Sequence, residues 1–300
     1  MNRDFSSATV GFIGLGNMGF PMAGNLASRG FKLIVLDANK EAVSRFVSAH
    51  GASAAADAAE LAGQVDVLIL MVPDGRIVQS ILLDEKDRMS TASRLKKGAV
   101  VIDMSSSAPM GTRQLGEELA RHDVAMIDAP VSGGVGRAKT GMLAVMTGGD
   151  PALADSLSPI LDAMCGTRIH VGPLGAGHAM KALNNYVSAA GLLAACEAVR
   201  VAQEFGIDGQ HAVDALNAST GRNNSTENKV SQFVLSEKYN SGFSYALMRK
   251  DLETALRLAQ DLHVTAPLAE SFVPICSKGE AIVGKQADHT EIARLVHASA

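Results

Sequence analysis

The sequence predicts an α/β fold: a doubly wound parallel sheet over residues 1–172, then an all-α domain over residues 173–300 opened by a long inter-domain helix. Three observations carry this expectation. Short β-branched and aliphatic runs alternate with helical patterns through the first half. A glycine-rich turn joins the first run to the first helical pattern. After Gly172 the strand-like runs stop and only helical periodicity continues.

The strands are expected at 10–13, 33–36, 67–71, 100–102 and 125–127, each bounded by Gly, Asp or Pro. Helical stretches at 18–28, 40–50 and 110–122 lie between them, the alternation of βαβ units. Two further runs, 142–146 and 169–171, extend the sheet at one edge. Residues 178–205 read as one long helix that Gly206 ends. Helical patterns follow at 209–217, 245–262, 267–283 and 290–298, and the domain boundary falls within 172–177. Leu183, Val187, Ala190, Leu193, Ala194, Ala198 and Val201 make the long helix apolar over much of its circumference. Such a helix belongs at the centre of its domain or at a subunit interface.

Composition narrows the function. The net charge is −4 and no long basic run occurs, which argues against nucleic acid or an anionic membrane as partner. Cys165, Cys196 and Cys276 are scattered without metal-ligand spacing and read as free thiols of a reducing compartment. The first nine residues are polar and lack a signal-peptide core, and no apolar run approaches the length of a membrane span. The expectation is a cytoplasmic protein.

The glycine turn is Gly14-Leu15-Gly16-Asn17-Met18-Gly19, set between the first strand and a helix whose first turn contains Pro21. Glycines at this spacing permit a tight bend, close approach of a pyrophosphate, and close packing of helix on strand. The helix N-terminus adds free N–H groups and partial positive charge. Asp37 ends the second strand, where a carboxylate accepts ribose hydroxyls and repels the extra phosphate of NADP. The cofactor expected is therefore NAD, with NADP less favoured, held by Gly14, Gly16, Asn17, Met18, Gly19 and Asp37. Val72, Pro73 and Ser106, at later strand ends, should border it, because ligands sit at the carboxyl ends of parallel strands.

Three further segments carry candidate chemistry. In Asp128-Ala-Pro-Val-Ser132-Gly133-Gly134 a hydroxyl and successive backbone N–H groups can cradle a carboxylate. Lys181 and Asn185 are four residues apart near the start of the long helix and project from one face. Lys250 precedes Asp251 inside an otherwise apolar helix.

Taken together, these motifs resemble the β-hydroxyacid dehydrogenases, the group containing 3-hydroxyisobutyrate dehydrogenase and tartronate semialdehyde reductase. The resemblance covers essentially the whole chain. Residues 11–19 match the family's cofactor motif, 128–134 its substrate motif, 172–185 its GxxGxGxxxKxxxN motif, and 249–252 its downstream lysine motif. It implies a Rossmann-type N-terminal domain, and an NAD-dependent enzyme interconverting a small β-hydroxy acid with its aldehyde or keto form. It implies Lys181 as general acid/base and Asn185 as the group that orients the reacting oxygen. Ser132, Gly133 and Gly134 would hold the substrate carboxylate, with Lys250 near the nicotinamide and the substrate. No metal is implied, and a homodimer or homotetramer is expected.

Ser106 stands where the family usually has Thr, and the loop 72–76 also departs from the usual pattern. The stretch 219–229 is unusually polar. Asn223 and Asn224 there suggest either a substrate with extra hydroxyl or carboxylate groups or an ordinary hydrophilic loop. Two other activities compete: an imine reductase-like enzyme on the same fold, and a non-catalytic NAD-binding interaction module. Lys181 argues against the first, because a cationic imine disfavours a facing lysine. The joint presence of Lys181, Asn185, Ser132 and Lys250 argues against the second.

Overall fold

The computed structural model describes residues 4–83, 90–284 and 286–296. The chain divides into two compact units, Met1–Lys181 and Ala182–Ala300.

The described residues of the first unit form nine strands: β1 (Thr9–Ile13), β2 (Lys32–Leu36), β3 (Ser53–Ala54), β4 (Val67–Leu70), β5 (Val100–Asp103), β6 (Ala125–Asp128), β7 (Val131–Ser132), β8 (Leu143–Gly148) and β9 (Cys165–Gly172). They form one sheet in the order β3-β2-β1-β4-β5-β6-β8-β7, with β9 on β8. From β3 to β6 every pairing is parallel. β8 runs antiparallel to β6 and β7, and β9 runs parallel to β8. The expected edge runs at 142–146 and 169–171 thus become β8 and β9. The chain leaves β1 toward β2 on one side and returns to β4 on the other. The carboxyl end of β1 is therefore the switch point where such sheets bind ligands.

β4 and β5 are buried along their whole length. Val10, Phe12, Val35, Ile69, Ile102 and Ile127 pack in one hydrophobic core, and Ile13, Ile34, Leu68, Leu70, Val101 and Met126 in another. Alternate residues serve opposite faces, which explains near-continuous apolar strands in place of an alternating pattern.

The long helix spans Ala176–Phe205, and Gly206, at φ +99°, ends it in the left-handed region. In the second unit it buries Ala189, Leu192, Leu193, Ala195, Cys196 and Val199 against Val213, Tyr245, Met248, Leu252, Phe272 and Cys276. Helices Gly209–Asn217, Tyr245–Asp261 and Pro267–Val283 match their expected positions. The expected helix at 290–298 is instead a 3₁₀ turn, His289–Leu295, opened by an Asp288 capping box. Residues 297 and 298 lie outside the described ones. The polar stretch after Ser219 holds a short helix, Asn224–Asn228, and a π-helical turn, Val230–Leu235.

All three cysteines are free and buried. Burial pushes the Cys196 and Cys276 thiols up to about 12 and Cys165 to about 11, so they are protonated near neutral pH. Among the described residues no helix is long and apolar enough to cross a membrane.

Candidate active site

At the end of β1 the three glycines of the turn do different work. Gly14 has φ +104°, and a Cβ there would collide with the Met71 carbonyl. A Cβ on Gly19 would collide with the Gly14 carbonyl. A Cβ on Gly16 would meet nothing within 4 Å, and Gly16 and Asn17 are exposed. Two glycines therefore let the turn close, while the middle one leaves an open surface. Met18 precedes helix Gly19–Ser28, which has no side-chain cap and no acidic residue in its first turn. No side-chain cap competes with an anion there, although the Phe20 N–H already donates to the Gly16 carbonyl at 3.0 Å.

Asp37 follows β2 and is tied to the same turn. Its Oδ2 accepts the Leu15 N–H at 2.5 Å and its Oδ1 accepts the Asn39 N–H at 2.7 Å. A carboxylate oxygen can accept twice, so both retain capacity for a ligand hydroxyl. Val72 donates its N–H to Ser105 Oγ at 3.1 Å, and Pro73 beside it is exposed. Buried Asp103 fixes the loop after β5, accepting from the Ser105 N–H at 2.9 Å and the Ser107 hydroxyl at 2.7 Å. Half-buried Ser106 sits between those two serines. The open glycine, the uncapped helix and the pinned carboxylate fit a dinucleotide.

The start of the long helix is held by Asp128, the last residue of β6. Its Oδ1 accepts the Gly175 N–H and its Oδ2 the His178 N–H, each at 2.7 Å. Asp128 is fully buried, and these charge-assisted bonds fasten the helix entrance to the sheet. A Cβ on Gly175 would lie 2.7 Å from the Pro109 carbonyl, and one on Gly177 would lie 2.8 Å from Asp128 Oδ2. The motif glycines are thus explained by close packing. Buried His178 places Nδ1 2.8 Å from Thr112 Oγ1. Half-buried Lys181 follows three residues later. On β7, Ser132 pairs with Ala144. Gly133 and Gly134 take φ +127° and +67°, and a Cβ on Gly134 would meet nothing within 4 Å. Gly134 therefore offers open backbone near a hydroxyl, whereas a Cβ on Gly133 would lie 2.7 Å from the Arg137 side chain.

In the second unit Asn185 is fixed on two sides. Its Nδ2 donates to Asp251 Oδ2 at 2.6 Å, and its Oδ1 accepts from Asn184 Nδ2 at 3.2 Å. One amide hydrogen remains for a ligand. Asp251 is buried, and its Oδ1 lies 3.6 Å from Lys250 Nζ. The structure thus links the two expected residues of this unit, Asn185 and Lys250, through Asp251. Sequence reasoning left that carboxylate without a role, although it stands inside the 249–252 motif. Asn223 is a helix cap: its Oδ1 accepts the N–H groups of Ser225 and Thr226 at 2.8 and 3.2 Å. Its side-chain carbonyl is thereby committed to the protein's own backbone.

A glycine turn at a switch point, an acid at the second strand end, and a lysine–asparagine pair on one helix define a dinucleotide-dependent oxidoreductase. Comparison with known proteins agrees. Residues 9–172 match the model of the NAD binding domain of 6-phosphogluconate dehydrogenase. Residues 175–296 match that of the NAD-binding domain of NADP-dependent 3-hydroxyisobutyrate dehydrogenase. The chain is 33% identical to 3-sulfolactaldehyde reductase of Escherichia coli, over 98% of this chain and 97% of that one. It is 34% identical to the NAD-dependent L-serine dehydrogenase of Pseudomonas aeruginosa, over 86% and 88%. A solved structure of Mycobacterium tuberculosis 3-hydroxyisobutyrate dehydrogenase with L-serine superposes with a TM-score of 0.89 at 31% identity, covering 97% of this chain and all of that one. The chain belongs to the β-hydroxyacid dehydrogenase family, NAD(P)-binding oxidoreductases that act on CH–OH groups.

Proposed function

We propose that this chain is an NAD-dependent dehydrogenase of a small β-hydroxy acid, with Lys181 as general acid/base. The observation that carries the reading is the pair on the long helix. Lys181 and Asn185 share a face one turn apart, and Asp251 holds the Asn185 amide with one hydrogen still available. In oxidation the neutral Lys181 amine takes the proton of the substrate hydroxyl as the C–H bond breaks, and in reduction the ammonium returns it to the carbonyl oxygen. Asn185 donates to that oxygen in both directions. Hydride acceptance and donation at the substrate carbon would be supplied by the dinucleotide when bound. Ser132 and the N–H groups of Gly133 and Gly134 hold the carboxylate. NAD is favoured over NADP because a 2′-phosphate would be repelled by Asp37, and a relative that uses NAD supports this. Lys250 lies beside Asp251, the carboxylate that also holds the Asn185 amide.

We also propose that the protein self-associates through the outward side of its long helix, where Val187, Val201 and Phe205 are 67%, 68% and 84% exposed.

The test is a β-hydroxy acid panel (3-hydroxyisobutyrate, 3-hydroxypropionate, serine, glycerate and threonate) assayed with NAD and NADP. It is run on the wild type and on Lys181→Ala. Loss of a positioned proton donor should lower kcat by roughly 10²- to 10⁴-fold, with NADH affinity retained. Turnover that survives the substitution would refute the role of Lys181.

A further inference from the structure

The polar stretch after Ser219 holds a half-buried cation. Lys229 follows helix Asn224–Asn228, and its Nζ donates to Ser188 Oγ at 2.9 Å. Among the described residues no carboxylate forms an ion pair with this ammonium. An ammonium carries three donors, and a neutral hydroxyl satisfies one of them. Burial lowers the lysine's pKa, and the charge of Asp288 offsets only part of that. A partly desolvated cation whose protein counter-charge, Asp288, offsets only part of the burial is stabilised further by a ligand anion.

Its position says which ligand. Ser188 lies three residues beyond Asn185 and seven beyond Lys181, so the three share one helix face. Ser188 is about 4.5 Å further along the helix axis than Asn185. Lys229 is held there by local structure. Asn223 caps the helix that precedes it in a capping box, and buried Ser225 donates its hydroxyl to the Ser188 carbonyl at 3.3 Å. The asparagine that the sequence pointed to thus positions the segment, and the lysine six residues on carries the charge.

We propose that Lys229 recognises a second anionic group on the substrate, in addition to its carboxylate. The preferred substrate is then a β-hydroxy acid whose side arm ends in an anion, in place of a methyl branch. This rests on the reading that Lys181 and Asn185 face the reacting carbon. If Lys229 only ties its segment to the helix, removing its charge while keeping its hydrogen bond should not alter substrate preference.

The test compares kcat/KM for 2-(hydroxymethyl)succinate, with its carboxymethyl arm, and for 3-hydroxyisobutyrate, with its methyl arm. Wild type, Lys229→Gln, Lys229→Met and Lys229→Arg are assayed, with folding checked by circular dichroism. Lys229→Gln keeps a donor for Ser188 without the charge, so it serves if Lys229→Met does not fold. The dianion-to-monoanion ratio should favour the dianion in the wild type and fall by roughly 10- to 100-fold in Lys229→Gln, the worth of one charge-assisted hydrogen bond. The fall should appear mainly in KM, and Lys229→Arg should restore most of it. An unchanged ratio in Lys229→Gln overturns the proposal. Calorimetric titration of methylsuccinate into the wild-type and Lys229→Gln proteins, each with bound NADH, decides independently of turnover. Weaker binding to the variant upholds the anion site even if neither acid reacts and the dehydrogenase reading fails; equal binding refutes it.

Discussion

At Asn185 the decisive property is how many amide hydrogens are committed. Asp251 takes one and leaves one uncommitted, while Asn184 holds the carbonyl end. Without Asp251 the amide can rotate, and Lys250 loses its paired carboxylate. Asp251→Ala is expected to lower kcat by about 10- to 100-fold, the usual effect of a misplaced orienting group. Asp251→Asn, which keeps an acceptor for Asn185, should retain more activity. Steady-state kinetics of the two variants check this, and equal losses would show that the charge near Lys250 outweighs the orientation of Asn185. The candidate residues can be named from sequence because each stands in a local motif whose spacing has a physical reason. The hydrogen bonds of Asp128, Asp251 and Lys229 cannot, because each depends on a partner 47, 66 or 41 residues away. Local pattern carries no signal for such a pairing.

The turn after β1 separates two jobs that a GxGxxG pattern merges. Gly19 is needed by the protein itself, since a Cβ there meets the Gly14 carbonyl. At Gly16 a Cβ would meet no protein atom within 4 Å, so any need for glycine there comes from the proposed ligand. Gly19→Ala should therefore destabilise the fold by about 1–3 kcal/mol, the cost of overpacking a tight contact, and lower Tm. Gly16→Ala should leave Tm unchanged and weaken NADH binding. Thermal unfolding and NADH fluorescence titration measure both, and a Tm loss in Gly16→Ala would mean the turn itself is strained. At this scale the strands were readable because strands buried on both faces run apolar throughout. β3 and β7, two residues each, are too short to show a period, and nothing in the local pattern of residues 230–235 marks a π-helical turn. At 290–298 the helical pattern was seen but its tighter pitch was not, since only the Asp288 capping box reveals where the turn begins.

Over the whole molecule, the long helix leaves one apolar stripe uncovered. Leu192, Cys196 and Val199 are buried in the second unit's core, whereas Val187, Ala194, Ala198, Val201 and Phe205 are exposed. Val187, Ala194 and Val201 recur every seven residues, and Ala198 and Phe205 form a second row four positions on, the spacing of a helix–helix seam. A continuous exposed apolar seam is where the proposed self-association would form. The alanines in it allow two helices to approach closely. Self-association through this seam predicts a solution mass that is a whole multiple of 31.2 kDa and at least twice it. The double substitution Val201→Glu, Phe205→Glu places like charges in the seam and should shift the mass toward one chain. Both residues are exposed, so the monomeric fold should survive, and light scattering coupled to size exclusion reads the change directly. A wild-type protein that elutes at the mass of one chain would refute the interface, and a mass unaltered by the two glutamates would place association on another surface.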